Sequence, residues 1–212
     1  MVSYIVDQWS LKHCGRSPHT KQGTGRQSTL ETLMSAAVAI NQRARSAEQK
    51  ALRRQAVLEA AETYFQEVGY EAFSMAQLGK RSGVAKGTLY LYFDTREALF
   101  LTLYEHSLMR WSRGFIDAVS DGISSEAYAQ LLYRTARTDG VFLPLLIRLE
   151  HVIEHNVAIP RLIESKRLFI KQVEGVAKRS ATALGLSAAQ AIEVVKTMGV
   201  LLIGATQTDQ SP

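Results

Sequence analysis

The stretch Ser-Met-Ala-Gln-Leu-Gly-Lys-Arg-Ser-Gly-Val-Ala-Lys-Gly-Thr-Leu-Tyr-Leu-Tyr-Phe, from Ser74 to Phe93, decides the fold of this chain. Ser74 with Gln77 has the pattern of a capping box, so a helix is predicted to begin there. Gly83 tolerates a positive φ angle and is predicted to end that helix. A second helix is predicted from about Ala85 to Tyr92. Two short helices hinged at a glycine are typical of a helix-turn-helix, whose second helix enters the DNA major groove.

Side-chain chemistry within the stretch fits that motif. The apolar residues predicted to point inward and fix the angle between the helices are Leu78, Val84, Leu89 and Phe93. The side chains left on the outer face are those of Lys86, Thr88, Tyr90 and Tyr92. Gly87 has no side chain and would let the backbone approach a duplex closely. The alternative for Tyr90 and Tyr92 is packing against the neighbouring helices.

The flanking sequence predicts further helices and an all-α fold. Apolar residues between Gln49 and Val68 recur with helical spacing, and Gly69 follows as a C-terminal cap. Asp94 with Glu97 is a second capping pair, predicted to begin a long amphipathic helix. Strand patterns are absent. Four later stretches keep the helical period: Ser125 to Arg137, Val141 to His155, Arg161 to Leu184, and Ala188 to Ala205, the last preceded by a Ser187 to Gln190 capping pair.

From about Arg53 to Tyr104 the chain resembles, without a gap, the TetR family of bacterial transcriptional repressors. The matching positions are Ala60-Ala61-x-x-x-Phe65-x-x-x-Gly69-Tyr70, Leu78, Ser82-Gly83-Val84, Lys86-Gly87-Thr88-Leu89-Tyr90 and Phe93-Asp94-Thr95-Arg96-Glu97-x-Leu99. The resemblance implies DNA contacts to bases or phosphates from the helix-turn-helix and from the start of the next helix. The implied DNA-binding residues are Ser74, Ala85, Lys86, Gly87, Thr88, Tyr90, Tyr92 and Arg96.

Two residues depart from the family pattern. Ala85 stands where the family usually has a serine that caps the second helix, and its methyl group forgoes a cap worth about 1 kcal/mol. Tyr92 stands where histidine is common. Neither departure breaks the motif, but both make the base preference harder to predict.

Composition places the chain among ordinary globular proteins. Its 212 residues are 46% hydrophobic and 21% charged, with a formal net charge of +5. Cys14 is the single cysteine, so no internal disulfide can form, and no secretory signal is recognised at the start. The most apolar run, Gly199 to Ala205, is much shorter than the roughly 20 residues of a membrane span. The predicted location is the cytoplasm, with no membrane partner.

The predicted domains are a basic, disordered leader over 1–46, a helix-turn-helix domain over 47–104 with its motif at 74–93, and a C-terminal helical domain over 105–212. The leader contains an alanine-rich stretch, Leu30 to Arg45, that predicts at most a transient helix. Met34 is an alternative translation start. The basic residues Arg43, Arg45, Lys50, Arg53 and Arg54 form either an arm along DNA or a solvated tail.

The sequence His151-Val-Ile-Glu154-His155 matches the H-x-x-E-H pattern of inverzincin metalloproteases. Such short patterns arise by chance in helices, and no third ligand has a convincing spacing. We therefore predict no metal, no cofactor and no enzymatic activity, with a zinc hydrolase as a remote alternative. The structural alternative is that His151 and His155 lie on a helix surface or line a polar cavity.

For the C-terminal half, the resemblance implies a small-molecule site and pairing of the last two helices in a homodimer. Candidate ligand residues are Trp111, Phe115, Leu146 and His151, each with core packing as the alternative. The usual final helix looks missing, so either the chain is truncated or Arg161 to Leu184 and Ala188 to Ala205 are the pairing helices. The apolar seam predicted to be exposed for pairing is Ile192, Val195, Gly199 and Leu202.

The motif and the resemblance together imply a repressor that a small-molecule effector releases from a palindromic, double-stranded DNA operator. The alternative is a related activator or a ligand-independent DNA-binding protein.

Overall fold

The computed structural model describes the backbone of residues 29–149 and 153–209, and the side chains of 47–149 and 153–207. Within these residues the chain forms eight α-helices and no strand, which confirms the all-α prediction. The helices are α1 (Thr29–Ala72), α2 (Met75–Ser82), α3 (Lys86–Tyr90), α4 (Arg96–Ala118), α5 (Ser125–Thr138), α6 (Phe142–Arg148), α7 (Ile159–Leu184) and α8 (Ala188–Asp209), with a 3₁₀ turn at Glu154–Asn156 between α6 and α7.

Helix α1 begins earlier than the sequence indicated. It starts at Thr29, so 29–46 is helical where a disordered leader with a transient helix was expected. Residues 1–28 lie outside the described part. The chain divides into two compact units, 1–53 and 54–212. Gly69 breaks the helix as predicted, because its φ of 72° and ψ of −173° are not helical.

Capping at three helix starts corrects or confirms the sequence patterns. Ser74 is the N-cap residue of α2 but makes no side-chain capping hydrogen bond, so the predicted capping box is absent. Helix α4 is capped by Thr95, whose Oγ1 accepts from the Ala98 N–H at 2.9 Å, and not by Asp94. The Ser187–Gln190 box before α8 is present in both directions, with distances of 3.0 and 3.4 Å. Asp94 and Thr95 are both favourable capping residues, so tertiary geometry decides between them.

The buried side chains of residues 54–207 form one continuous core. Phe65, Tyr70 and Phe73 of the first helices surround Phe100 of α4, with ring centroids 4.9 to 5.5 Å from it. Further along α4, Trp111 stacks on Phe142 at 5.0 Å. Because α4 contributes to both clusters, it connects the helix-turn-helix rigidly to the C-terminal helices.

The last two described helices, α7 and α8, pack against each other. Their pairing with a second copy stays a prediction. The predicted exposed seam is wrong at Val195 and Leu202, which are buried against the chain's own core, while Ile192 and Gly199 are half-buried. The exposed apolar side chains of α8 are instead Val200 (57%) and Leu201 (59%).

One helical segment in the described part, Ala188–Gln207, has the length and composition of a bilayer span, with a mean hydropathy of 1.4. The sequence prediction had weighed only the shorter run Gly199–Ala205. Length and composition do not distinguish a span from a helix that pairs with another protein, and this segment packs on α7.

Candidate DNA-binding site

The helix-turn-helix is held by short contacts around Gly83. Its φ of 66° and ψ of 21° are left-handed, as predicted, and the following Val84 N–H donates to the Gly79 carbonyl at 3.0 Å. A methyl group on Gly79 would lie 2.8 Å from the Val84 carbonyl oxygen, which shows how closely the turn packs on α2. Leu78 and Leu89 are completely buried between the helices. The angle between α2 and α3 is therefore fixed by packing.

Helix α3 is shorter than predicted, ending at Tyr90 instead of Tyr92. Its outer surface carries Lys86, which is exposed, and Thr88, which is half-buried. Gly87 is also exposed, and a Cβ built there meets no atom within 4 Å. The backbone at Gly87 therefore faces open space on the surface where a duplex would lie.

The two tyrosines differ in environment. Tyr90 is 39% exposed at the end of α3 and stays available for DNA. Tyr92 is half-buried and packs against the hydrophobic core, so part of its ring serves the fold. The assignment of both residues to DNA contacts stays a prediction.

Leu91 was missed by the sequence analysis. It is 75% exposed, the largest exposure among the exposed large apolar residues, and it lies directly after Tyr90. An exposed leucine at this place can contact a thymine methyl group or a deoxyribose. The signal was weak in the sequence, because a leucine among Tyr90, Tyr92 and Phe93 is as typical of a core position.

Neither α2 nor α3 has a side-chain capping hydrogen bond at its start. The Ser74 hydroxyl makes no capping bond, which leaves it available for a phosphate oxygen beside the first N–H groups of α2. Ala85 makes no capping bond for α3, because its methyl side chain has no hydrogen-bond acceptor. The structure thus provides a hydroxyl at the first position and none at the second.

Basic side chains near the motif divide into free and engaged ones. Lys80 and Lys86 are exposed and form no ion pair among the described side chains. Arg81 pairs with Glu67 and lies 4.3 Å from the centre of the Tyr64 ring. Arg54 lies over the Phe93 ring at 4.8 Å, so it packs on the domain and is not part of a free arm.

Arg96, at the start of α4, is 33% exposed. Its Nε donates to Glu97 Oε1 at 3.1 Å, and its guanidinium carbon lies 5.0 Å from the centre of the Tyr70 ring. These contacts hold the side chain while leaving part of the guanidinium at the surface. A phosphate contact from this position stays a prediction.

The predicted ligand residues lie mainly in the core. Phe115 is fully buried, Trp111 is half-buried and donates to Thr135 Oγ1 at 3.3 Å, and Leu146 packs on the core. His151 lies outside the described residues. A pocket of about 620 Å³ lies elsewhere along α4, lined by His106, Met109, Arg110, Ser112, Arg113, Ile116, Asp117 and Gln172.

His106, in the wall of that pocket, has a pKa that its surroundings shift. Burial lowers its pKa below the usual value, and the positive charges of Arg54 and Arg110 lower it further. The nearby Glu105 and Glu62 act in the opposite direction. The lowered pKa means that His106 binds a proton less readily than a free imidazole.

The described residues of the H-x-x-E-H sequence, Glu154 and His155, do not form a metal site. Glu154 pairs with Lys166, with Nζ 2.7 and 2.8 Å from the two carboxylate oxygens, and His155 is exposed in the 3₁₀ turn. No cluster of three metal-ligating side chains occurs among the residues with described side chains. Glu154 thus has a structural partner.

A glycine-hinged helix pair with a polar outer surface defines a helix-turn-helix DNA-binding protein. Two family models match this chain: "Bacterial regulatory proteins, tetR family" over residues 57–103, and "Tetracyclin repressor-like, C-terminal domain" over residues 105–212. The second alone spans half of the sequence. The chain belongs to the TetR family of bacterial regulatory proteins, a family of regulators and not of enzymes.

Similar proteins agree with this assignment. The chain is 30% identical over 74 residues to the fatty acid metabolism regulator protein of Bacillus subtilis, a match that covers 35% of this chain and 36% of the relative. It thus spans about a third of the length of that curated relative.

Solved structures share the fold at low sequence identity. The multidrug binding protein EbrR complexed with imidazole is 19% identical, with a TM-score of 0.55, over 75% of this chain and 87% of that one. The regulator FadR from Bacillus subtilis in complex with stearoyl-CoA is 16% identical, with a TM-score of 0.50, over 74% and 89% of the two chains.

Proposed function

We propose that this protein is a cytoplasmic transcriptional repressor that binds a palindromic operator and is released from it by a small-molecule effector. The observation that carries the proposal is the outer surface of α3, where Lys86, Gly87 and Thr88 present charge, an open backbone and a hydroxyl. Lysine neutralises phosphate or donates to guanine, and a threonine methyl fits a thymine methyl. No enzymatic activity is part of the proposal.

A homodimer would supply the two recognition helices that a palindrome needs. The exposed apolar side chains on the last two helices, Ile159, Ile163, Val200 and Leu201, support pairing with a second copy, because water leaves such a surface when it is covered. Both α3 helices can read neighbouring major grooves only if they stand about 34 to 36 Å apart.

An effector acts by preferring a dimer with a different spacing. A hundredfold loss of operator affinity requires only about 2.7 kcal/mol of coupling between the two sites. The pocket beside His106 is a candidate place for the effector, because it lies on α4, the helix that also begins at the DNA-binding surface. Two members with the same fold are described with bound small molecules, imidazole and stearoyl-CoA.

The direct test is a footprint on the DNA that flanks the gene for this protein. We expect protection of two half-sites whose centres lie about one helical turn apart. Protection that ignores sequence, or no protection at all, would contradict the proposal. A reporter fused to the same DNA separates the two regulatory modes, because loss of the gene raises expression under a repressor and lowers it under an activator.

A further inference from the structure

Two arginines from different parts of the chain meet at one tyrosine ring. Tyr70, just after the break in α1, is buried and packs on Phe100 with centroids 4.9 Å apart. The guanidinium carbon of Arg96 lies 5.0 Å from the centre of its ring, and that of Arg148 lies 4.9 Å from it. Arg96 begins α4, whereas Arg148 ends α6 in the C-terminal half.

Arg148 is fixed by contacts of its own. Its Nη1 donates to the Pro144 carbonyl at 3.1 Å, and its Nη2 lies 3.5 Å from a Glu71 carboxylate oxygen. Only 24% of its side chain is exposed. The bond to Pro144 and the packing on Tyr70 hold the guanidinium at the ring, while the Glu71 carboxylate, which is 83% exposed, adds little.

Arg96 contacts the same ring, and its guanidinium carbon also lies 5.4 Å from the centre of the Phe100 ring. Besides Glu97, its Nη2 reaches the Tyr70 hydroxyl at 3.5 Å, a long and weak hydrogen bond. Its Nη1 donates to no described residue. The Tyr70 ring is thus one of three groups, with Glu97 and the Phe100 ring, that set where the free donors of Arg96 lie.

We propose that Arg148 is a positioning residue for DNA binding: by fixing the Tyr70 ring it holds the Arg96 guanidinium where it meets a backbone phosphate. This inference rests on the proposed function, in which Arg96 binds DNA. Arg148 touches no DNA itself. Its place on α6 joins the C-terminal half, through the Tyr70 ring, to the side chain of Arg96.

A neighbouring contact supports the same geometry. The Thr95 hydroxyl, which caps α4, donates to the Asn156 carbonyl of the 3₁₀ turn at 3.1 Å. The first turn of α4 thus contacts the C-terminal half at two neighbouring residues: Thr95 bonds directly to Asn156, and Arg96 is linked to Arg148 through the Tyr70 ring. A shift of the C-terminal helices would change the position of Arg96 through these two contacts.

The test compares the salt dependence of operator binding for Arg148→Gln, Arg96→Ala and the double variant. Glutamine can still donate to the Pro144 carbonyl, so the fold is kept, and thermal melting of each variant checks this. Each lost phosphate contact lowers the magnitude of the slope of log K against log salt by about 0.9, so R96A, which removes one contact from each subunit of the dimer, should lower it by about 1.8. For R148Q we expect about two- to fivefold weaker binding and a slope between those of wild type and R96A.

Three further variants test whether Arg148 acts through Arg96. The double variant should bind as R96A does, because Arg148 acts only through Arg96. Arg148→Lys should keep most of the affinity, since an ammonium still attracts the ring. Arg137→Ala removes a similar cation–aromatic pair with Tyr133 at 5.3 Å on α5 and should change nothing.

The contradicting results are distinct. If R96A lowers the slope while R148Q keeps the wild-type slope, or if the two losses add in the double variant, the positioning role of Arg148 is wrong. If R96A itself keeps the wild-type slope, the phosphate contact in the proposed function is wrong and the role of Arg148 falls with it.

Discussion

At the scale of single residues, Gly87 has opposite expected effects on helix stability and on DNA binding. A side chain at this exposed position would meet no atom of the protein within 4 Å. Glycine within a helix costs about 0.5 to 1 kcal/mol relative to alanine, so the fold alone favours replacement. The glycine is therefore best explained by a close approach of another molecule.

Gly87→Ala should leave thermal stability equal or slightly higher and weaken operator binding about tenfold or more, because a methyl group would hold α3 away from the duplex. Melting and a fluorescence anisotropy titration measure the two effects. Gly114→Ala is the matched control, since Gly114 lies exposed on α4 with equally open space around it. Equal operator affinity for G87A and wild type would contradict the assigned close approach.

His106 gives a pH-dependent prediction at the same scale. Its pKa in the folded protein is lowered, so near its usual value of about 6.5 the unfolded chain binds more protons than the folded one. Stability should therefore fall as the pH drops through that value and be unaffected by this group at higher pH. Unfolding of wild type and His106→Gln, compared from about pH 8 to about pH 5.5, should show a smaller loss in the variant. Parallel curves would contradict this.

The sequence predicted single residues well where local chemistry decides. The break at Gly69, the turn at Gly83 and the burial of Leu78 and Leu89 all follow from φ preference and helical spacing. The exposure of Leu91 and the contacts of Arg96 could not be predicted, because they depend on where α4 and α6 pass in space. Periodicity on a five-residue helix does not distinguish Leu91 from a core leucine.

At the scale of helices, the start of α4 is the element that connects DNA binding to the rest of the chain. The sequence analysis predicted Asp94 as the N-cap, although Thr95 beside it is also a favourable residue type. The structure selects Thr95, whose hydroxyl accepts from the Ala98 N–H and donates to the Asn156 carbonyl. A residue 61 positions away therefore decides a local question that the capping pattern alone left open.

Thr95→Ala should lower the free energy of unfolding by about 1 kcal/mol and also weaken operator binding, because the helix start that carries Arg96 loosens. Chemical denaturation and anisotropy report the two changes. Ser124→Ala removes a comparable cap at α5, where the Ser124 Oγ accepts from the Ala127 N–H at 3.2 Å, and should lower stability without affecting DNA. If both variants weaken DNA binding equally, general destabilisation is the cause and the specific role of Thr95 is wrong.

At the scale of the whole molecule, we assign two groups of exposed apolar residues to different partners. Tyr90 and Leu91 lie at the DNA-binding helix, while Val200 and Leu201 lie on the last helix. The sequence analysis gave α8 as a candidate pairing helix and predicted Val195 and Leu202 to be exposed on it, but both are buried. Amphipathic spacing finds an apolar stripe, but on a helix apolar on several sides it does not say which stripe the chain itself covers.

Replacing Val200 and Leu201 together by aspartate should convert a dimer into a monomer, because two charges would have to be buried in the interface. Light scattering during size-exclusion chromatography measures the mass. The matched control is Leu91→Asp, a charge on the other apolar surface, which should keep the dimer and weaken DNA binding. A dimer that survives V200D/L201D would place the interface elsewhere.

The most direct test of the account is retention of an operator duplex by the double variant Lys86→Ala and Thr88→Ala, measured by gel mobility across a series of salt concentrations. Neither side chain is buried in the core, so the melting temperature should match that of wild type. We expect wild-type affinity to fall steeply with added salt and the variant to bind at least about tenfold more weakly. Unchanged retention by a folded variant would contradict DNA recognition by α3.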